Sequence, residues 1–242
     1  MPTTLFISDL HLSPETPHIT RLLLDFLSGP AAGADALYIL GDLFEYWAGD
    51  DDLPDPYHQQ VAGALRQVSA SGTKLYLMHG NRDLLMGRDF AAACGATLLQ
   101  DPLVIDLHGV RTLLSHGDIL CTDDVEYQAF RRQVHDPEWQ RVFLAQPLAL
   151  RKAQIAGMRE RSKMEKTAKS DAIMDVNAGA VSALFRQHGI PDRLIHGHTH
   201  RQARHALEVD GRNVERVVLG DWGAVGNCLV SSPGVCEFRE IK

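Results

Sequence analysis

The sequence predicts an α/β fold with a helical insertion, and three observations support this. Short apolar runs alternate with segments of helical periodicity through the first part of the chain, as in α/β proteins. Five of the apolar runs are followed at once by Asp, His or Asn residues. Residues 122–170 lack strand-like runs and repeat their apolar residues at helical spacing.

The individual elements follow from apolar spacing and from turn residues. Residues 18–28 carry apolar side chains on one helical face, and a Gly-Pro pair ends that helix. His108-Gly109 and Asp210-Gly211 mark tight turns between strands. Further helices are predicted over 57–70, 87–94 and 177–188. Strands are predicted over 4–8, 37–40, 74–79, 102–107, 110–115, 193–196, 203–209, 213–219, 222–230 and 234–239.

The segment over 122–170 has a different pattern. Phe130 and Val134 lie four residues apart, as do Trp139 and Phe143, which is helical spacing. Two prolines interrupt the pattern, and proline breaks a helix because it lacks a backbone donor. We therefore expect two or three helices inserted in the α/β body.

Charge and composition narrow the possible partners. The net charge of −7 argues against nucleic acid as a partner. Between Arg131 and Lys169, ten Lys and Arg residues face four Asp and Glu residues, a net of +6 that leaves −13 for the remainder. Such a basic segment indicates an anionic partner or surface; the alternative is a solvated helix face.

Cysteine usage and hydropathy indicate a cytoplasmic protein. The four cysteines lack metal or redox spacing and no secretory signal is evident at the start, so we expect free thiols. No uncharged run reaches the ~20 apolar residues that a membrane span requires. Any contact with a membrane is therefore expected to be peripheral.

Polar residues at the ends of five predicted strands form a candidate metal centre. In open α/β sheets, ligands bind at the carboxyl ends of the strands, so we expect these residues to meet at one edge. Imidazole mixed with oxygen ligands suits Mn, Fe or Zn. Seven ligands exceed the needs of one ion with an open position but fit two ions that share a carboxylate, for which Asp42 is the natural bridge. The set comprises Asp9, His11, Asp42, Asn81, His116, His198 and His200.

Each of these motifs alone is weak evidence for a metal site, because a single histidine near a strand end more often has a structural role than binds a metal. Their joint occurrence after successive strands favours the metal centre, and paired ions can clamp the attacking and leaving oxygens of a phosphoryl group. The remaining histidines outside these loops are expected at the surface: His18, His58, His135, His188 and His205.

These motifs, in this order, resemble the calcineurin-like metallophosphoesterase superfamily. The resemblance covers nearly the whole chain and implies one domain over 1–242, a four-layer αββα sandwich whose helical insertion over about 122–170 is a lid. It implies that Asp42 bridges two metal ions. One ion would be held by Asp9, His11 and His200, and the other by Asn81, His116 and His198. The motifs are Asp9-Leu10-His11, Gly41-Asp42, Gly80-Asn81-Arg82, His116 and Gly197-His198-Thr199-His200.

One position departs from the superfamily pattern. Where the superfamily has a histidine after Gly-Asn, often assigned to protonate a leaving alkoxide, this chain has Arg82. Arginine does not release its proton under ordinary conditions, but it stabilises phosphate charge, often through two hydrogen bonds. Because a phosphate leaving group needs no strong proton donor, Arg82 favours a diphosphate bond over a simple alkyl ester as the bond cleaved.

Within the superfamily, the chain most resembles the UDP-2,3-diacylglucosamine hydrolases of lipid A biosynthesis. This resemblance implies a manganese-dependent attack of dimetal-activated water on the α-phosphorus, with two Mn²⁺ per chain, giving UMP and 2,3-diacylglucosamine 1-phosphate (lipid X). The implied catalytic residues are Asp42, Asn81, Arg82 and His116. The implied substrate contacts are Asn81, Arg82, Asp124, Ser162, Lys166, Lys169 and His198. The stretches that carry the resemblance are 6–12, 41–47, 79–83, 116–118, 121–124 and 172–177.

The composition of the insertion is compatible with an acylated UDP-sugar substrate. Its apolar residues could line a cleft for acyl chains, or simply dock the insertion on the body; its basic residues could bind the diphosphate. The same mixture suits a monomer resting on the anionic cytoplasmic face of the inner membrane. The apolar set is Phe130, Val134, Trp139, Val142, Phe143, Leu144 and Leu148, and the basic set is Arg131, Arg132, Arg141, Arg151, Arg159, Lys166 and Lys169.

Two other functions remain open at this point. The chain could be a metallophosphoesterase that acts on another nucleotide or phosphoester, although a small polar substrate needs no apolar cleft. It could also be a non-catalytic phosphoesterase-like scaffold, but such a scaffold would be expected to lose ligands, whereas all seven positions are filled.

Overall fold

The computed structural model describes residues 1–168 and 175–242, with side chains described for 1–162 and 175–242. The helices in these residues are α1 Pro17–Ser28, α2 Pro56–Ala70, α3 Arg88–Cys94, α4 Val125–Val134, α5 Pro137–Leu144, α6 Leu148–Ala168 and α7 Ala178–Gln187. The strands are β1 Thr4–Ile7, β2 Ala36–Leu40, β3 Lys74–Met78, β4 Ala96–Leu99, β5 Leu103–Leu107, β6 Val110–Leu114, β7 Arg193–His196, β8 Ala203–Val209, β9 Arg212–Val218, β10 Gly226–Ser232 and β11 Val235–Ile241.

The strands form two sheets. One has the order β11-β10-β1-β2-β3-β4 and the other β5-β6-β7-β9-β8. In the first sheet β1, β2, β3 and β4 run parallel, and in the second β6, β7 and β9 run parallel. The carboxyl ends of the parallel strands in each sheet therefore lie along one edge of that sheet.

The two sheets pack face to face, and helices cover their outer faces. Phe6, Leu40 and Met78 of the first sheet form one buried cluster with Leu114 and Ile195 of the second. A second cluster joins α1, α2 and α3 to the first sheet, and a third joins α7 to the second sheet. These four layers confirm the predicted αββα sandwich.

Local sequence signals explain several helix boundaries. Asp55 is the N-cap of α2 and its carboxylate accepts a hydrogen bond from the Tyr57 amide at 2.9 Å, while Pro56 occupies the first turn. Asn177 caps α7 in the same way, through the Ala180 amide at 3.0 Å. These caps satisfy backbone donors that a helix start leaves unpaired.

Three sequence expectations were wrong in detail. Strand β4 was not predicted, since it is short and follows α3 after Gly95 alone. Strand β10 begins at Gly226, later than the predicted start at residue 222. The chain turns before it, and the Gly223 amide donates to the Val225 carbonyl at 3.1 Å. His58 is buried rather than at the surface; its ring packs 4.6 Å from that of Trp47.

The segment predicted to be helical forms α4, α5 and α6. Part of its apolar set docks these helices on the body: Val134 and Phe143 are buried, and Trp139 packs against the cluster beneath the first sheet. Phe130, Val142 and Leu144 stay exposed instead. Among the described residues, no helix combines the length and the apolar content that crossing a bilayer requires.

Candidate metal centre

The structure brings together all seven residues that the sequence predicted as ligands, but at the edges of two sheets rather than one. The loops after β1, β2 and β3 supply Asp9, His11, Asp42 and Asn81. The loops after β6 and β7 supply His116, His198 and His200. The expectation of a single sheet edge is corrected because β6 and β7 belong to the second sheet. The centre lies where the two edges meet.

A first group of ligand atoms surrounds Asp9. His200 Nε2 lies 3.4 Å from Asp9 Oδ1 and 3.3 Å from His11 Nε2. Asp9, His11 and His200 offer ligand atoms that all lie within 4.8 Å of one another. Two imidazole nitrogens and a carboxylate oxygen that converge in this way match the ligand preferences of Mn, Fe or Zn.

A second group surrounds Asn81. Its Oδ1 lies 3.1 Å from His116 Nε2 and 2.9 Å from His198 Nδ1. Asp42 lies between the groups: its Oδ2 is 3.8 Å from His11 Nε2 and its Oδ1 is 3.8 Å from His116 Nε2. One oxygen therefore faces each group, which is the arrangement that a bridging carboxylate needs.

The donor set fits a pair of cations. Asp9 Oδ1 is buried and accepts no hydrogen bond in the described part of the chain, although a buried polar atom normally has a partner. Burial opposes a charged imidazole, yet Asp42, Asp9 and Asp118 raise the pKa of His116 to about 9. Nearby carboxylates thus draw a proton onto His116, and a bound metal ion would displace that proton.

The backbone of the ligand loops is strained. Five ligand residues adopt left-handed conformations: Asp9 (φ 56°), His11 (φ 48°), Asp42 (φ 52°), His198 (φ 68°) and His200 (φ 59°). Non-glycine residues rarely take up this region, and the cost is tolerated mainly where function depends on the geometry. This concentration at one place is a second indication of a functional site.

Two motif glycines allow the loops to approach one another. A Cβ on Gly80 would collide with the Asp42 carboxylate, and a Cβ on Gly197 would collide with Asp9 Oδ2 and with Ser8. The amide of His198 donates to Asp9 Oδ2 at 2.9 Å. Glycine is therefore required at these positions for close contact between a carboxylate and the neighbouring loop.

Asp83 connects the β2 and β3 loops, a role that the sequence analysis missed. Its carboxylate is buried and accepts hydrogen bonds from the amides of Asp42 at 3.3 Å, Leu43 at 2.8 Å and Gly80 at 2.7 Å. Asp42 in turn accepts a hydrogen bond from the Arg82 amide at 2.8 Å. The position of Asp83, two residues after Asn81, was the available sequence signal.

Burial and neighbouring charges set the state of Asp42. Burial raises the pKa of Asp42 to about 6, with Asp83 and Asp9 adding to the effect and His116 and His11 opposing it. Ionising the Asp42 carboxyl group is costly in the metal-free chain, and bound cations would offset that cost. Metal binding and ionisation of Asp42 would therefore be coupled.

Glu45 is a second residue that the sequence analysis missed. Its Oε2 lies 3.1 Å from His11 Nδ1, and its Oε1 accepts a hydrogen bond from Arg159 Nη2 at 2.7 Å. Burial would raise the pKa of Glu45, but His11, Arg82 and Arg159 lower it to about 2. Glu45 is therefore an ionised contact between the metal centre and helix α6.

Comparison with known proteins agrees with this geometry. The model of the calcineurin-like phosphoesterase family matches residues 2–202. The chain belongs to that family. A curated relative from Aeromonas salmonicida, a UDP-2,3-diacylglucosamine hydrolase, is 54% identical over 96% of this chain and 91% of its own. One of the same name from Stenotrophomonas maltophilia is 52% identical over 94% of each chain. A solved archaeal phosphodiesterase covers 99% of this chain at 13% identity and a TM-score of 0.46.

Family membership implies a dimetal centre in this phosphoesterase. The candidates for it are the group around Asp9, the group around Asn81 and the Asp42 carboxylate between them. Helix α4 closes one side of them. Asp118 accepts hydrogen bonds from Tyr127 Oη and Arg131 Nε, both at 2.7 Å. The Tyr127 ring stacks on that of His198, with centroids 5.8 Å apart. The insertion thus contacts His198, a candidate ligand, directly.

The predicted substrate contacts in the insertion have different outcomes. Asp124 caps α4 through the Tyr127 amide at 3.0 Å, and Ser162 is half-buried on α6. The side chain of Lys166 and the whole of Lys169 lie outside the described residues. Arg151, predicted beside the cleft, is buried instead, because it pairs with Asp51 and donates to the Ala48 carbonyl.

Proposed function

We propose that this phosphoesterase hydrolyses the diphosphate bond of UDP-2,3-diacylglucosamine. The products are UMP and 2,3-diacylglucosamine 1-phosphate (lipid X), a step of lipid A biosynthesis. The observation that carries the proposal is 54% identity to a UDP-2,3-diacylglucosamine hydrolase over more than nine-tenths of both chains. The convergence of all seven predicted ligands at one centre supports a catalytic role over that of a scaffold.

The proposed cofactor is a pair of Mn²⁺ ions. Asp9, His11 and His200 would hold one ion, Asn81, His116 and His198 the other, and Asp42 both. Mixed imidazole and oxygen donors suit this metal better than Ca²⁺ or Mg²⁺, which take oxygen ligands. When bound, such a pair neutralises developing charge on phosphate oxygens and lowers the pKa of water to about 7 in the strongest cases.

Side chains of the centre also have roles of their own. His116 Nδ1 lies 2.9 Å from the Leu40 carbonyl, which fixes the ring and leaves Nε2 facing the centre. Arg82 stands directly after Asn81, and its side chain is one-fifth exposed at the rim. The Arg82 guanidinium would donate hydrogen bonds to the diphosphate while negative charge builds up on the departing lipid phosphate. That phosphate leaves without needing a proton, which arginine could not supply.

The helical insertion is the proposed lid over the acylated sugar. In this proposal residues 1–242 form one domain, and residues of about 122–170 form its lid. The lid contacts the centre through Tyr127 and Arg159, and α4 and α5 present exposed Phe130 and Val142. Asn81, Arg82, Asp124, Ser162, Lys166, Lys169 and His198 are the proposed substrate contacts.

A manganese-dependent assay for UMP release from UDP-2,3-diacylglucosamine tests this function. Release of UMP by the Mn²⁺-loaded chain, and none by the chelated chain, is the expected result. Hydrolysis of simple phosphodiesters but not of the lipid would favour another metallophosphoesterase. No hydrolysis of either substrate by the Mn²⁺-loaded chain would favour a non-catalytic scaffold.

The proposed location is the cytoplasmic face of the inner membrane, where the chain would bind peripherally as a monomer. Exposed Val142 and Leu150 lie in the basic segment between Arg131 and Lys169, and exposed Val125 and Phe130 precede it; such a mixture favours anionic interfaces. Co-sedimentation with vesicles containing phosphatidylglycerol, but not with pure phosphatidylcholine vesicles, tests the location. Sedimentation equilibrium tests whether the chain is a monomer in solution.

A further inference from the structure

Glu45 is fixed beside the first ligand group by its own backbone. Its amide donates to the Leu12 carbonyl at 3.0 Å, and Leu12 and Phe44 form a parallel bridge between the β1 and β2 loops. This pairing places the carboxylate next to His11, with Oε2 at 3.1 Å from Nδ1. Among the described residues, Nδ1 makes no hydrogen bond of full geometry, so the two atoms are in close contact without one in this conformation.

The other oxygen of Glu45 reaches the insertion. Arg159 of α6 donates to Oε1 at 2.7 Å, and its guanidinium lies 5.5 Å from the centroid of the Tyr46 ring. Arg82 Nη1 is 3.9 Å from the same oxygen. Helix α6 is also tied to the body by Lys152, whose Nζ lies 2.7 Å from Asp52 Oδ1. Of these two ion pairs between α6 and the body, Arg159–Glu45 is the one that includes a residue in contact with a candidate metal ligand, His11.

We propose that Glu45 is a positioning residue that couples docking of helix α6 to the orientation of His11 and Arg82. The proposal rests on the function proposed above. A carboxylate behind a ligand histidine fixes its ring and tautomer, and its loss typically costs about 10–100-fold in metal affinity or activity. His200, in the same ligand group, has a comparable neighbour: its Nδ1 lies 3.4 Å from Asp221 Oδ2.

The direct test measures Mn²⁺ binding rather than turnover. Glu45→Gln keeps the shape of the side chain and removes its charge. Isothermal titration of the chelated 242-residue chain with MnCl₂ should show one of the two sites weakened by about 10–100-fold. Thermal unfolding of the metal-free variant confirms that it folds, and Glu45→Asp should recover part of the affinity.

Glu215→Gln is the matched control. Glu215 also lies between two arginines, with Arg193 Nε and Arg204 Nε both at 2.7 Å, and its side chain is 28% exposed against 24% for Glu45. It has no histidine ligand beside it. Its substitution should leave both Mn²⁺ affinities unchanged, so a loss confined to Glu45→Gln supports the proposal. Equal affinities for Glu45→Gln and the wild-type chain would overturn it.

Arg159→Gln tests the coupling to the insertion. Arg159 is linked to His11 through Glu45. If Arg159 only held helix α6 on the body, its substitution would leave the Mn²⁺ affinity unchanged. The proposal instead expects a loss of about fivefold at the same Mn²⁺ site, a faster hydrogen exchange in α6, and no further loss of affinity when combined with Glu45→Gln. Wild-type affinity in Arg159→Gln would refute the coupling.

The outcome for Glu45 can be told apart from the outcome for the proposed function. If the wild-type chain binds Mn²⁺ but releases no UMP, the proposed function fails, while these titrations still decide the role of Glu45.

Discussion

Replacing Asp83 with asparagine should destabilise the metal-free chain substantially. The carboxylate accepts three backbone hydrogen bonds, from Asp42, Leu43 and Gly80, and it is almost completely buried. An asparagine that keeps its oxygen on Asp42 and Gly80 turns its NH₂ group towards the Leu43 N–H. One charge-assisted bond of about 1.5–3 kcal/mol is then lost, and a buried donor worth about 1–3 kcal/mol is left unpaired.

The net effect of Asp83→Asn should be about 3 kcal/mol, since the two costs overlap and the substitution also removes repulsion between Asp83 and Asp42. For a chain of 242 residues, each kcal/mol shifts Tm by roughly 2–4 °C, so we expect a fall of about 6–12 °C. Circular dichroism of the chelated protein measures it. Asp25→Asn, at an exposed site on α1, is the control and should change stability by at most about 0.5 kcal/mol. A Tm for Asp83→Asn within about 2 °C of wild type would refute the role assigned to Asp83.

Three other predictions concern the metal centre and the thiols. Asp42→Asn should lower the manganese content from about two ions per chain to about one or none, measured by elemental analysis after loading; full occupancy would contradict the bridging role. Arg82→Ala should lower kcat by about 100-fold with bound manganese unchanged, and an unchanged kcat would contradict the role of Arg82 in stabilising the phosphate. Burial raises the pKa of Cys94, like those of Cys121 and Cys228, to about 12, whereas Cys236 is partly exposed. A maleimide at pH 8 should therefore label Cys236 first, as peptide mapping can show; prior labelling of a buried thiol would contradict the packing.

The set of residues that meet at the candidate metal centre could be predicted because they occur in short motifs directly after strands. Each motif, such as Gly197-His198-Thr199-His200, is local, so it can be recognised in the sequence. The packing of two separate sheets came from the family resemblance. From the residues alone, a single sheet edge was the simpler expectation.

Residues that act through distant partners could not be predicted. Glu45 and Arg159 are 114 positions apart, and Arg151 and Asp51 are 100 apart, so no local pattern indicates either pair. His58 is a different case. It lies on the same face of α2 as Val61, Leu65 and Val68, all buried, and helical periodicity alone would have placed it inside.

The distance along the chain between the ligands of the first group has a consequence for biosynthesis. His11 and His200 are separated by 189 positions, and they belong to the loops of different sheets. A polypeptide emerging from the ribosome displays its early aspartates long before the histidines that complete either pocket. Capture of the proposed metal pair would therefore be a late step, available only after the chain has been synthesised through His200 and both sheets have closed.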